Sequence, residues 1–285
     1  MVYVLLAALC SVLVSVLLKV ARRYRVDVAS AVTWNYLAAS VLCALLLHPS
    51  LDSLRGPGAP WVSLLALALV LPCLFLIQAA SVRLAGIVRT DIAQRMSLLL
   101  SLAAAFWLFG QPVVDTKLIG LALGLVAMVG IAVRPRGDAP AAGGGRAWPA
   151  LLTVWAGFAL VDVMLKHIAA AGTPFAASLQ VTFVLAFIGM ALWQGLRARR
   201  GEVRLGARDL WAGLLLGLIN FGNIIFYVIA HRALPGQPAV VFASMNIGVV
   251  VLGTVVGVVG FGERLNWLNR IAVVLAILSI ILISR

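Results

Sequence analysis

Charge is scarce in this sequence: only 11% of its 285 residues are Asp, Glu, Lys or Arg. Soluble domains carry about a quarter charged residues, so a water-facing globule is excluded. Acid is the scarcer sign, with 9 Asp and Glu against 22 Lys and Arg. Cysteine and histidine number three each. Cys10, Cys43 and Cys73 are odd in number, lie inside apolar segments and lack metal-site spacing. They read as buried small apolar residues. No Gly-rich phosphate loop and no nucleophile elbow occurs. An ATP-driven pump therefore lacks its nucleotide site, and neither an enzyme nor a cofactor or metal is expected.

What is abundant is apolar: 64% of residues are hydrophobic, with a mean hydropathy of +1.12. A bilayer needs about 20 mostly apolar residues per spanning helix. Ten such runs are readable: Val2 to Val20, Val28 to Leu47, Trp61 to Ala80, Thr90 to Leu108 and Leu118 to Val133 in the first part. Ala150 to Ala169, Phe175 to Leu196, Leu210 to Ala230, Ala239 to Val259 and Trp267 to Ser284 make up the second. Helix is the expected conformation, because open strands leave backbone groups unsatisfied in lipid. Pro60, Pro149, Pro174 and Pro238 stand at or just before predicted starts, where a missing N–H costs nothing. Pro72 falls inside the third span and predicts a kink there. The first run lacks a basic leader and a small-residue cleavage site, so it reads as a retained span.

The fold class expected is all-α integral membrane, with ten transmembrane helices as two inverted five-helix repeats. Residues 1–133 form the first repeat, 134–148 a Gly, Pro and Ala-rich linker, and 149–285 the second. Similarities recur in order across the halves: Phe109-Gly110-Gln111 against Phe261-Gly262-Glu263, and Ser15 to Lys19 against Asp162 to Lys166. Repeats of an odd number of helices lie in opposite orientations, an architecture common in secondary transporters. The net charge of +13 sits in loops and signals topology, so nucleic acid is not an expected partner. Arginines concentrate in the odd-numbered loops, from Arg22, Arg23 and Arg25 through Arg197, Arg199 and Arg200. By the positive-inside rule those loops are cytoplasmic and both termini lie outside a cytoplasmic membrane.

A charged residue at a helix centre costs about 2.5–3.5 kcal/mol on insertion scales, so polar stripes inside spans must face protein or water. Thr90, Gln94, Ser97 and Ser101 form one stripe on the fourth span. Asn220, Asn223, Tyr227 and His231 form another on the eighth, and Ser11, Ser15 and Lys19 a third on the first. Trp155, Asp162 and Lys166 lie on the sixth, with Gln78 on the third and Asn246 on the ninth. The expected cavity is lined by Gln78, Gln94, Ser97, Trp155, Asp162, Asn220, Asn223, Tyr227 and Asn246, set against the blander reading that such groups join helices. Asp162–Lys166 and Asp91–Arg95 are spaced for helical ion pairs, acid first. Asp162 is the first candidate for a group that binds a proton or a substrate amine. Lys19 and Lys166 either snorkel to the interface or meet a substrate carboxylate. Trp34, Tyr36, Trp107, Trp193 and Trp211 are expected near membrane interfaces. Gly120/Gly124, Gly213/Gly217 and Gly253/Gly257 read as close helix crossings.

The whole chain resembles the EamA-like branch of the drug/metabolite transporter superfamily. The resemblance rests on the paired five-helix halves, the lysine closing the first helix of each, and the Gly262-Glu263 turn before the last. The run from Arg89 to Arg95 also looks like the start of that branch's fourth helix. The chain departs at Gln111, where many members carry glutamate, and in lacking a proline in the fourth and ninth spans. The resemblance implies a secondary transporter that exports small polar metabolites such as amino acids. Expected partners are the bilayer, a small-molecule substrate and protons. The alternatives are a non-transporting membrane subunit and a lipid flippase.

Overall fold

The computed structural model describes residues 1–56, 58–101, 103, 115–132, 147–203, 206–235 and 237–284. Helix α1 is Val2–Val20, and α2 is Val28–Leu47, opened by the Asp27 carboxylate, which accepts from the Ser30 N–H at 2.8 Å. A 3-10 turn, Asp52–Leu54, precedes α3, Trp61–Ala85, which begins after Pro60 and continues through Pro72. Helix α4, Ile87–Arg95, stops at Met96, and helical residues resume at 97–101. Then come α5, Asp115–Ala132; α6, Ala147–Ala170; α7, Phe175–Arg199; and α8, Ala207–Ala233. Helix α9, Pro238–Val255, takes Pro238 in its first turn and runs into a π-helical stretch, Val256–Gly260. Helix α10, Trp267–Ile283, opens on a capping box between Asn266 and Asn269.

Among the described residues there is no strand. Among the described residues seven helices are long and apolar enough to cross a membrane; α10 and the apolar part of α5, Leu118–Gly130, are shorter. The fourth expected span is the one the structure alters, because it is cut at Met96. Residues 102 and 104–108 at its end, the Phe109-Gly110-Gln111 run that follows it, and nearly all of the 134–148 linker lie outside the described residues. Outward positions are apolar, as at Val62 (83% exposed), Leu69 (69%), Leu192 (67%) and Val259 (82%). Many of the buried positions are small or polar: Ala7, Ala8, Ser15, Ser30, Asn35 and Asn269. That inversion suits lipid outside, since helices in a bilayer associate through close packing and hydrogen bonds. Two expectations need correction. Tyr36 is fully buried between Phe75 and Phe183, not interfacial, and Cys73 is exposed.

The chain forms two compact units, each drawing on both sides of the 134–148 linker. The first comprises Met1–Lys19, Ala80–Ala159 and Gly222–Arg285. Within it α5 and α10 pair closely, with Ser279 Oγ donating to Gly120 O (2.7 Å) and Asn269 Nδ2 to Gly130 O (2.9 Å). Val4 and Ala7 of α1 pack with Ala230, Val241 and Met245, and one turn on Ala8 and Val12 pack with Val249.

The second unit comprises Val20–Ala79 and Leu160–Phe221. Here α2 meets α7 and α8. The Asp27 carboxylate also accepts from Arg197 Nη1 (3.2 Å) and Nη2 (3.3 Å), and the Asp27 N–H donates to Asp209 Oδ1 (2.9 Å). Burial pushes the Asp27 acid up. The Arg197 guanidinium and the Ser30 N–H outweigh it and hold the group below the usual carboxylate range. A depressed acid contributes stability above its unfolded pKa, about 3.9, and loses it as pH falls through the folded value. Its contribution to melting temperature in detergent should therefore stay flat from neutral pH to about 4, then fall. In Asp27→Asn that acid limb should shrink, with a neutral-pH cost under about 1 kcal/mol because the pair is partly solvated. An unchanged acid limb in the variant would refute this assignment.

Candidate functional site

The polar residues of the first unit gather along α1 and α4. Helix α4 begins after Gly86, whose φ of 96° is in the region open to glycine. No side chain of its own caps it. Its first free amides are met from far along the chain: Glu263 Oε1 accepts from Ile87 N–H at 2.6 Å and Oε2 from Val88 N–H at 3.1 Å. A carboxylate suits that position, since a helix N-terminus presents unsatisfied donors and the positive end of the dipole. Lys19 Nζ pairs with the same Glu263 Oε1 and lies 4.6 Å from the centre of the Phe261 ring.

One turn into α4, Ser15 Oγ donates to Asp91 Oδ1 at 2.6 Å, and the hydroxyls of Ser81 and Thr90 bond at 2.8 Å. A further turn on, Arg95 Nη2 donates to Ser11 Oγ at 2.6 Å and Nη1 to Asn246 Oδ1 at 3.3 Å. Asn246 Nδ2 is anchored on Phe242 O at 2.9 Å. The α1 stripe of Lys19, Ser15 and Ser11 thus descends in steps of four while Glu263, Asp91 and Arg95 answer it in turn. The two helices run antiparallel with polar rungs about 6 Å apart, one helical turn each.

Just beyond Arg95 the helix breaks. Met96 O accepts from the Trp155 indole Nε1 at 2.8 Å and from Leu99 N–H at 3.0 Å. The carbonyl at the break thus has two donors, one from the next turn of its own chain and one from α6. Gln94 is half-buried beside it, and Ser97 is buried. The Ser101 hydroxyl bonds back to Ser97 O at 3.2 Å. Asn223 Nδ2 donates to Ala7 O at 2.7 Å, and the Tyr227 ring stands edge-on to His231 at 4.6 Å.

The first unit therefore holds Lys19, Asp91, Gln94, Arg95, Ser97, Trp155, Asn223, Tyr227 and Asn246. Gln78, Asp162, Lys166 and Asn220 belong to the second. There Gln78 is buried, Asp162 half-buried and Lys166 exposed at the end of its helix. Asn220 Nδ2 donates to Asn35 Oδ1 at 3.2 Å. Glu263 is the site residue that spacing alone does not single out for a contact. Its signal in the sequence is a lone acid in a turn after a long apolar helix.

A model of the EamA-like transporter family matches residues 1–133. An uncharacterised protein of Haemophilus influenzae is 36% identical over 281 residues, covering 96% of this chain and 94% of that one. A protein known by crystal structure is similar over 97% of this chain and 95% of its own, at 17% identity and a TM-score of 0.56. At that identity the likeness establishes the fold alone.

Proposed function

The chain belongs to the EamA-like transporter family, and on that premise we propose that it is a secondary carrier exporting small polar metabolites, amino acids foremost. Two inverted five-helix repeats, residues 1–133 and 149–285, alternate access to the solute, with both termini outside the cytoplasmic membrane. The observation that supports a carrier most directly is Arg95. It is a guanidinium at the end of α4, held between a serine and an asparagine, one residue from the break in the helix. Arginine offers a planar fork of donors matched to a carboxylate. Main chain freed at a helix break, with amides and hydroxyls at Gln94, Ser97 and Asn246, supplies the remaining contacts for a polar solute.

Flux in proteoliposomes over a panel of amino acids and related metabolites tests this. Wild-type protein should move at least one of them, and Arg95→Gln should lower kcat/KM for it by about tenfold or more, as loss of a charged hydrogen bond would. Absence of flux for every solute would overturn the carrier. A scaffold would instead show altered stability in Arg95→Gln and no flux in either protein.

A further inference from the structure

Asp91 is the acid for which the solute-binding reading has no use. Its side chain lies one turn inside α4, in a residue only 2% exposed. Oδ1 takes the Ser15 hydroxyl at 2.6 Å, while Oδ2 is buried with no hydrogen-bond partner among the described residues. Oδ2 faces Gly253 of α9, where a Cβ would fall 2.6 Å away, so the oxygen occupies space that any larger residue would fill. An ionised carboxylate can accept about four hydrogen bonds. One hydroxyl is thin support for a full charge at this depth, and a buried charge without pairing is resolved most simply by taking up a proton.

Charges of both signs stand near it. Arg89 and Arg95 share its helix, and Arg95 acts on it as a positive charge while binding Ser11 and Asn246. Glu263, from the turn after the π-helical stretch, acts as a like charge, itself held by Lys19 of α1 and two α4 amides. Helix α9 brings Gly253 and α1 brings Ser15, neither of them charged. A solute carboxylate seated on Arg95 would draw off its field and tip Asp91 toward the acid.

We propose that Asp91 is the group that binds and releases a proton during transport, so that solute flux moves protons across the membrane. The step is reversible protonation of the carboxylate: one proton is taken from one face and given up to the other, with no other bond made or broken. The proposal rests on the carrier reading above, and its test separates the two. Proteoliposomes trapping a pH-sensitive dye are given a solute that the wild-type protein transports. The expected result is a change in luminal pH that begins with the solute, its loss in Asp91→Asn, and an Asp91→Asn flux that no longer responds to an imposed pH difference. Ser15→Ala removes the donor that supports the anion and should move the pH midpoint of flux upward, a readout that holds even where Asp91→Asn does not fold. Solute flux without any luminal pH change in wild type would overturn the proton site and leave the carrier standing. A pH change retained in Asp91→Asn, or a midpoint unmoved in Ser15→Ala, would also overturn it. Failure of wild type to move any solute would remove both.

Discussion

Glu263→Ala should lower the melting temperature of the protein in detergent by about 5–10 °C, the shift expected for some 3 kcal/mol in a chain of this size. The residue has three partners in the first unit: the Lys19 ammonium and the Ile87 and Val88 amides. Its side chain is 12% exposed and that of Lys19 22%, so water replaces little of what is lost. Deleting one member of a mostly buried pair leaves the other charge stranded, and that, more than the pair's net worth, sets the cost. The two amides at the start of α4 would lose their acceptor as well. Lys19→Met with Glu263→Gln is the informative companion, because glutamine keeps an acceptor for an amide while no charge is stranded. That double variant should recover most of the loss. A Glu263→Ala protein that melts with wild type would show that the contact contributes nothing to stability.

The second large effect is expected in the second unit, at Gly213 of α8. A Cβ there would stand 2.5 Å from Ala31 O and 2.5 Å from Trp34 Cβ. One turn along, a Cβ at Gly217 would stand 2.6 Å from Ala38 Cβ and 2.7 Å from Asn35 O. The obstacles are backbone and β-carbons, which cannot swing aside as a side-chain tip can. Gly213→Leu must therefore push α2 and α8 apart, at a cost at or above the usual 1–3 kcal/mol for overpacking, about 3 kcal/mol or more. Separating them also stretches the Asn220–Asn35 hydrogen bond at the same crossing. Gly189→Ala on α7, where nothing lies within 4 Å of the added carbon, is the control and should be near neutral. Equal melting of the two variants would contradict a tight α2–α8 crossing.

Several features are legible in the sequence because they are local. The limits of α1 and α2 come from composition. The α1 stripe of Ser11, Ser15 and Lys19 is legible because spacing of four fixes a face. Which face of α4 it meets is not. Spacing along the fourth span picks out Thr90, Gln94, Ser97 and Ser101, whereas the rungs facing α1 are Asp91 and Arg95, one residue further round. A helical wheel records which residues share a face and says nothing about the neighbour opposite. The break at Met96 carries no proline or glycine to mark it. At the break the Met96 carbonyl accepts from an indole of α6, a tertiary contact that no local pattern states. Tyr36 departs from expectation for a related reason: interfacial enrichment of aromatics is a statistical tendency, and the rings of Phe75 and Phe183 decide the matter. The interleaving of the two compact units is the least legible feature, since no local pattern states that α1 completes its packing beside the last helices.

That pairing of α1 with a residue 244 positions later has a bearing on biosynthesis. The lysine of α1 meets no Glu263 until another 244 residues have been made. Until then a nascent segment with an ammonium at its end waits in or beside the membrane, free to engage insertion factors or lipid headgroups. Closure of the first unit is therefore a late, long-range event in the life of each molecule. Truncation anywhere before Glu263 would leave its opening helix without its ionic partner.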